Sequence, residues 1–464
     1  MLFNSWIFFL FLPLVFAAVY AIPQKYRWIV LLIASYVFYG WWKADFLIII
    51  AFSTVLDYFC AIKIEDSENQ FIRKRWAALS LGINLGILFL FKYFYFFIGS
   101  TAWMQDLVSP HQKLKDLVAF FGNALPVGIS FYTFQTMSYT LDVYYRRAKP
   151  ERHLGQFALF VSYFPQLVAG PIERFTHLNE QLKVEHKLVY KNIQLGLRLM
   201  LYGFFVKMVI ADNLSYTVSS IFNDPGKWKY YWNIVGVLSF GFQIYADFFG
   251  YSLIAQGVAK LFGINLMDNF NRPYLSVNIS EFWKRWHISL STWFRDYVYV
   301  PLGGNRVSHS KWIFNIMLVF VLSGLWHGAN YTFLIWGTLH GLFYLFERFF
   351  PISLKFKWVK ILITFLAVSF AWIFFRAENL DQAFDVIKGL VGMLGGQRQL
   401  DTQPYIFLLV LIFGVLELLR GDSRFDQFCE KYSGIQRWTL YCFLIFCILT
   451  VCGSEYSAFI YFKF

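Results

Sequence analysis

The sequence predicts an all-α polytopic membrane protein, and two observations carry that prediction. Of its 464 residues, 58% are hydrophobic, 22% aromatic and only 15% charged, more apolar surface than a water-soluble domain can hide. The apolar residues are also gathered into blocks long enough to cross a bilayer as helices, which takes roughly 17 to 25 residues. In chain order the blocks are 6–22, 28–42, 45–62, 77–98, 117–141, 232–246, 313–329, 331–346, 358–375, 405–419 and 438–453. About eleven transmembrane helices are therefore expected, with shorter re-entrant and interfacial helices between them. Several blocks are interrupted by glycine, proline or polar side chains, which a membrane tolerates only where protein or water surrounds the backbone. No repeat or composition break divides the chain, so 1–464 reads as a single membrane-embedded domain.

The first block follows Met1 with neither a basic n-region nor a small-residue cleavage site, and is expected to remain as a helix. Basic residues collect in loops and orient the chain. If MLFNS is outside, Lys25 and Arg27, the run Lys63 to Arg75, and the segment RRAKPER at 146–152 all fall inside. The stretches 281–311 and 348–360 are inside as well, 376–403 is outside, and both chain ends are on the outer side. A formal charge of +13 spread over loops suits a membrane protein and argues against a nucleic-acid partner. The five cysteines show no paired spacing and read as packing residues. Gly82 and Gly86 have the spacing of a close helix contact. Asp57 and Asp142 read as salt-bridge partners near the inner ends of their blocks.

Two segments carry candidate chemistry. FVLSGLWHGANYTFLIWGTLHG, 320–341, holds His327 and His340 in an apolar run, where an imidazole must find a partner or give up its charge. Gly324 and Gly328 flank Trp326 and His327; they are expected to let backbone approach a ligand and let the helix loosen. If that helix continues, Asn330 shares a face with His327. SEFWKRWHISLSTWFRDYVYVPLGGNR, 280–306, written as one helix, gathers Phe282, Trp286, Ser289, Trp293 and Val300 on one side. Lys284, Arg285 and Arg295 fall on another, which predicts an amphipathic interfacial helix anchored by tryptophan and arginine. His287 leads a polar run of Ser289, Ser291 and Thr292 and stands apart from that anchoring role.

These two segments occur in order with FYTFQTMSYTLDVYYRR at 131–147, FPQLVAGPIERF at 164–175 and YADFFGYSLIAQGVAKLFGINL at 245–266. Together they resemble the membrane-bound O-acyltransferase family, in its bacterial branch of alginate and peptidoglycan O-acetylation subunits and the D-alanyl exporter of teichoic acids. The resemblance implies many helices around a central funnel, in which an intramembrane histidine meets a cytoplasmic acyl donor and an acceptor from the opposite face. It implies a multi-pass protein of the bacterial inner membrane with periplasmic termini. It maps the central histidine onto His327 and the other motif histidine onto His287. It implies acetyl-CoA as donor with no bound cofactor, a polysaccharide acceptor, and a periplasmic partner of the SGNH type. The tail FIYFKF, 459–464, resembles a terminal aromatic motif in which a tyrosine hydroxyl carries the acyl group, so Tyr461 becomes the third catalytic candidate. Read from its residues alone, the tail fits an aromatic interface belt equally well.

The chemistry agrees with that mapping. Moving an acyl group from a thioester to a hydroxyl needs a base beside the attacking oxygen, and a buried imidazole stays neutral and able to accept the proton. Lys284, Arg285 and Arg295 are candidates to attract the donor's phosphates. Trp286, Trp326 and Asn330 are candidates to line the substrate path. Asp247, inside the apolar QIYADFFGYS, either orients a histidine and lines the path or pairs with a buried cation for packing. His340 reads as a packing histidine. No histidine pair has metal-ligand spacing, so metal catalysis is not expected. The chain also lacks a nucleophile elbow and a phosphate loop, consistent with handing the acyl group to a separate hydrolase-like partner. The expected function is an O-acetyltransferase that moves acetyl outward through the membrane for polysaccharide O-acetylation. The alternatives are D-alanyl or other acyl transfer from a carrier protein or to a lipid. A transporter without covalent chemistry, surrounded only by membrane lipids, would leave the Trp-His-Gly match unexplained.

Overall fold

Backbone groups inside a bilayer have no water to bond, so a chain this apolar is driven into helices that satisfy their own hydrogen bonds. The computed structural model describes residues 1–100, 125–351, 354–400, 404–452 and 459–460. Among the described residues the regular structure is helical, apart from one isolated bridge between Trp228 and Arg398. Seven helices or helical runs there are long and apolar enough to cross a membrane: 46–65, 70–98, 190–223, 230–261, 309–327, 357–376 and 434–451. Large apolar side chains such as Leu14, Ile48 and Leu449 stand exposed, while Asp57, Lys207 and Asp247 are buried. That is the inverse of a water-soluble domain and the arrangement a lipid environment selects.

The chain packs as two compact units, Met1–Gln194 with Val258–Met267, and Leu195–Gly257 with Asp268–Phe464. The first contains α1 (Trp6–Ala21), α2 (Gln24–Gly40), α3 (Phe46–Glu65) and α4 (Gln70–Leu88), which runs through a π-turn at Phe89–Tyr93 into α5 (Phe94–Ser100). It continues with α6 (Ile129–Tyr144), α7 (Leu154–Ser162), α8 (Phe164–Leu167) and α9 (Phe175–Lys183). Its interior is partly polar. Asp57 on α3 accepts hydrogen bonds from Ser80 Oγ at 2.5 Å and Asn84 Nδ2 at 2.9 Å on α4, so it is held by neutral donors and not by the expected salt bridge. Asp142 does pair with a cation, Arg147, at 3.9 Å. Gly82 and Gly86 face open space instead of a neighbouring helix. The 117–141 block is described only from residue 125.

The helix α10 (Tyr190–Phe204) passes through a π-turn at Phe205–Ala211 into α11 (Asp212–Asn223) and forms an apolar run of 34 residues. No block was expected there. Arg198, Lys207 and Asp212 interrupt the apolar pattern, but the fold neutralises two of them against each other, with Lys207 Nζ 2.6 Å from Asp212. Then come α12 (Tyr230–Leu261), α13 (Ile279–Arg285), α14 (Ile288–Phe294) and a π-turn at Arg295–Tyr299. The remaining helices are α15 (His309–His327), α16 (Tyr331–Phe349), α17 (Lys357–Arg376), α18 (Leu380–Leu390), α19 (Tyr405–Arg420), α20 (Phe425–Glu430) and α21 (Gly434–Val451).

Two expectations fail here for physical reasons. The 280–306 stretch is not one interfacial helix: His287 has φ 43° and ψ 53°, a left-handed conformation that ends α13 and starts α14. Phe282, Trp286, Ser289 and Trp293 are buried, so protein and not the headgroup layer receives that face. The second concerns the glycines around His327. A Cβ on Gly324 would press on the Phe333 carbonyl, one on Gly337 on the Phe320 carbonyl, and one on Gly328 on the Phe333 ring. The glycines therefore bring the α15 and α16 backbones together; they are not kept bare for a ligand. Gly337→Leu is expected to separate the two helices, lowering the melting temperature in detergent by several degrees, or abolishing a monodisperse peak in fluorescence-detected size exclusion. Overpacking of this kind costs about 1–3 kcal/mol or more. Gly414→Leu, with no heavy atom within 4 Å of an added Cβ, should leave both readouts near wild type.

Candidate active site

His327 is the last residue of α15. Gly328 follows in an extended conformation, the chain turns, and Asn330 begins α16 by accepting the Thr332 N–H at 3.1 Å. Asn330 Nδ2 donates to the Glu378 carbonyl at 2.7 Å. The α15 helix does not continue, so Asn330 shares no helical face with His327; it caps the next helix instead. The His327 ring is held edge-on by Trp336 and Phe375, each with its centroid 5.1 Å away, and packs on Trp326 at 4.9 Å. Only 2% of His327 is exposed.

His287 comes from the α13–α14 joint. Its ring centroid lies 6.3 Å from that of His327 and 5.8 Å from Trp326. The separation is too long for a hydrogen bond between the rings. The segment before α13 holds the joint: Ile288 N–H donates to the Asn269 carbonyl and Asn271 N–H to the Arg285 carbonyl, both at 2.9 Å. Asn269 Oδ1 receives Ser289 Oγ at 2.9 Å and the Ser289 N–H at 3.3 Å, so this atom is an acceptor. His287 Nδ1, 3.1 Å from the same oxygen, must then be the protonated nitrogen, which leaves the basic lone pair on Nε2. Burial pushes the imidazole down to about 3, so the neutral form persists at physiological pH. Asn269 had no signal in the sequence, since it sits in an ordinary polar loop whose register beside α13 is a tertiary fact.

An aromatic wall joins the two histidines to the third. Trp286, Trp336 and Trp372 are fully buried; Trp372 stacks on Trp336 at 5.7 Å and lies 5.0 Å from Trp286. His340 lies 4.9 Å from Trp336 and parallel to Phe282, and accepts a hydrogen bond from Trp283 Nε1 at 3.3 Å. Trp336 thus touches both His327 and His340. Its indole N–H is buried and has no acceptor among the described residues.

The acidic candidate resolves toward a cation. Lys207 Nζ lies 2.7 Å from Asp247 Oδ1 as well as 2.6 Å from Asp212. Asp247 Oδ2 also accepts the Ile460 N–H at 2.7 Å, and Phe459 packs on Phe248 at 5.5 Å and Tyr251 at 4.8 Å. Phe248 in turn stands edge-on to His287 at 4.7 Å. The last described residues of the chain are therefore tied beside the histidine site, and Tyr461 itself lies outside the described residues.

The basic candidates are elsewhere. Arg285 pairs with Glu281 at 2.8 Å and Asp422 at 3.4 Å, Arg295 is exposed against Asp296 at 2.7 Å, and Lys284 is exposed. A cavity of about 790 Å3 carries other cations, Arg348 and Lys360, with Asn278, His309 and Tyr344. Tyr344, His340 and Trp336 are spaced by four on α16 and share one face. At 1.5 Å per residue the cavity's Tyr344 lies about 12 Å along the helix from Trp336.

Two buried histidines, His287 and His327, thus meet beside a wall of tryptophans in a chain with helices apolar enough to cross a membrane. The chain belongs to the membrane-bound O-acyltransferase family, whose model matches residues 84–376 and so spans both histidines. Among its relatives, a probable alginate O-acetylase of Pseudomonas aeruginosa is 40% identical over 90% of this chain and 80% of its own length. A peptidoglycan O-acetyltransferase of Helicobacter pylori is 37% identical over 85% of this chain and 80% of its own. A teichoic acid D-alanyltransferase of Bacillus subtilis is 30% identical over 58% of this chain and 71% of its own.

Asn269→Leu removes the acceptor that fixes the His287 tautomer and keeps a side chain of similar size. The expected outcome is a fall of about a hundredfold in kcat, the scale of a misplaced catalytic group, with membrane abundance unchanged. Asn269→Asp, which keeps the acceptor oxygen, should recover part of the loss.

Proposed function

We propose that the protein takes acetyl from acetyl-CoA on the cytoplasmic side of the bacterial inner membrane and delivers it outward. A periplasmic partner of the SGNH type then O-acetylates a cell-wall or secreted polysaccharide such as peptidoglycan or alginate. The observation that carries this reading is the buried His287–His327 pair, 6.3 Å apart, in a chain 37–40% identical to relatives named for O-acetylation of those two polymers. Arg348 and Lys360 in the cavity fit the donor's phosphates, and an extended thiol-bearing arm is long enough to follow α16 from Tyr344 toward Trp336.

In the proposed step, an acceptor oxygen attacks the thioester carbonyl as the His327 imidazole takes its proton. The carbon–sulfur bond breaks, and the proton passes to the departing thiolate. The indole N–H of Trp336, buried and without an acceptor among the described residues, donates to the developing oxyanion. The acceptor oxygen is the phenol of Tyr461. Asp247 holds the backbone of Ile460, the preceding residue, and Phe459 is packed one ring away from His287. An acetyl-tyrosine is an activated ester, since its phenol has a pKa near 10, and the partner's nucleophile accepts acetyl from it.

His327→Ala is expected to insert at wild-type abundance and lose acetyl transfer by about 10²–10⁴-fold, the range for removing a general base. Transfer of label from acetyl-CoA onto purified protein would be the measurement, with retained labelling counting against the base assignment. A carrier-linked D-alanyl donor should give no label. Tyr461→Phe removes one oxygen and keeps the ring, so an interface-belt role survives it while a carrier role does not. Mass spectrometry of the wild-type C-terminal peptide, given donor and no partner, should find one acetyl on Tyr461. Normal polymer acetylation by Tyr461→Phe would transfer the acceptor role to the partner's own hydroxyl.

A further inference from the structure

A second cavity, of about 620 Å3, lies between α17 and α19 in the same unit. Trp358, Leu362 and Phe365 line one wall, and Phe407, Leu411 and Val415 the other. Trp358, Leu362, Leu411 and Val415 are among the exposed large apolar side chains, so the cavity is open along its rim. Its floor is Phe242, Tyr245 and Tyr274. The floor hydroxyls are already engaged: Tyr245 donates to Glu417 Oε2 at 2.6 Å, and Tyr274 donates to the Gly241 carbonyl at 2.6 Å and accepts from Trp372 Nε1 at 3.2 Å. Glu417 is paired with Arg420 at 3.0 Å. A surface whose polar groups are spent internally selects an apolar occupant.

One lining group is different. Arg272 reaches the cavity from a left-handed residue, pairs through its terminal nitrogen with exposed Asp422, and has a buried Nε without a hydrogen-bond partner among the described residues. Asp422 lies two residues past α19, which places the cation at that helix's C-terminal end. Exposed Lys355 and Lys357 precede and open α17, and by the loop-charge argument both helix ends belong to the inner side. A long apolar cleft with a basic mouth matches the two parts of an anionic lipid.

We propose that this cleft binds an anionic phospholipid, with one acyl chain along α17 and α19 and the phosphate on Arg272. Apolar walls of this extent gain dispersion contacts from an apolar occupant, and a lipid chain supplies them without disturbing any hydrogen bond. The bound chain also backs the catalytic wall: Tyr245 and Tyr274 each pack on Trp286 at 6.0 Å, and the next residue is His287. The site is independent of which acyl donor and acceptor the protein uses.

The test is photolabelling of the full-length protein in detergent by phosphatidylglycerol and phosphatidylcholine carrying a diazirine near the end of one chain. Label is expected on peptides covering 358–365 and 407–418, with phosphatidylglycerol preferred. Gly414 lines the cleft, and an added Cβ there meets no heavy atom within 4 Å. Gly414→Trp should therefore fill the space and lower labelling about tenfold, a loss of roughly 1.4 kcal/mol. Arg272→Gln should keep labelling and lose the preference for phosphatidylglycerol. Equal labelling of α1 and of this cleft, unchanged by Gly414→Trp, would overturn the proposal. If Gly414→Trp does not accumulate, failure of unlabelled phosphatidylglycerol to compete in the wild type overturns it equally.

Discussion

The geometry of the site hangs on one backbone conformation, the left-handed residue at His287. A non-glycine residue there costs of order 1–3 kcal/mol and persists only when its surroundings determine it. They do: two backbone hydrogen bonds from the 269–271 segment clamp the joint on either side, and Asn269 grips the ring. A straight helix through 280–306 would carry His287 onward with the turn and could not deliver the imidazole beside His327 while keeping Trp286 buried. The strained turn thus places the His287 ring beside His327, the Asn269 contact fixes its proton, and burial keeps it neutral.

Around that joint the packing follows the rules of lipid, where apolar burial alone gives helices no reason to associate. Close approach at Gly324 and Gly337 joins α15 to α16, and Trp372, stacked on Trp336 and tilted against Trp286, joins α17 to α16 and to the α13–α14 joint. Charged groups survive inside because they are paired. Lys207 stands between Asp212 and Asp247, and Asp247 has a second oxygen left to hold the Ile460 backbone. Removing either partner would leave a buried charge, a loss usually larger than the pair's net contribution. The same economy explains why Asp247 neither faces a histidine directly nor stands idle.

The cationic groups divide by what already holds them. Arg285 and Arg295 lead the sequence pattern, yet both are committed to neighbouring carboxylates. Arg348 and Lys360, separated in sequence by an unremarkable loop, meet at one cavity. Counting charges along the chain identifies the basic face; only the fold says which charges pair with carboxylates and which line a cavity.

Composition and block length determined by themselves that this is an all-helical membrane protein, because a lipid solvent leaves the backbone no other way to bond. A local motif likewise marked His327, since an imidazole in an apolar run is conspicuous whatever surrounds it, and the family resemblance marked His287. The α10–α11 span was illegible: its apolarity is broken by Arg198, Lys207 and Asp212, and their neutralisation depends on partners such as Asp247, 40 residues on from Lys207. The break at His287 was equally hidden, because periodicity describes a helix that continues and carries no sign of the Asn269 contacts that stop it. Gly324 and Gly328 announced close approach without naming what approaches. Contacts between residues distant in sequence decided each of these, and a one-dimensional pattern holds no record of them.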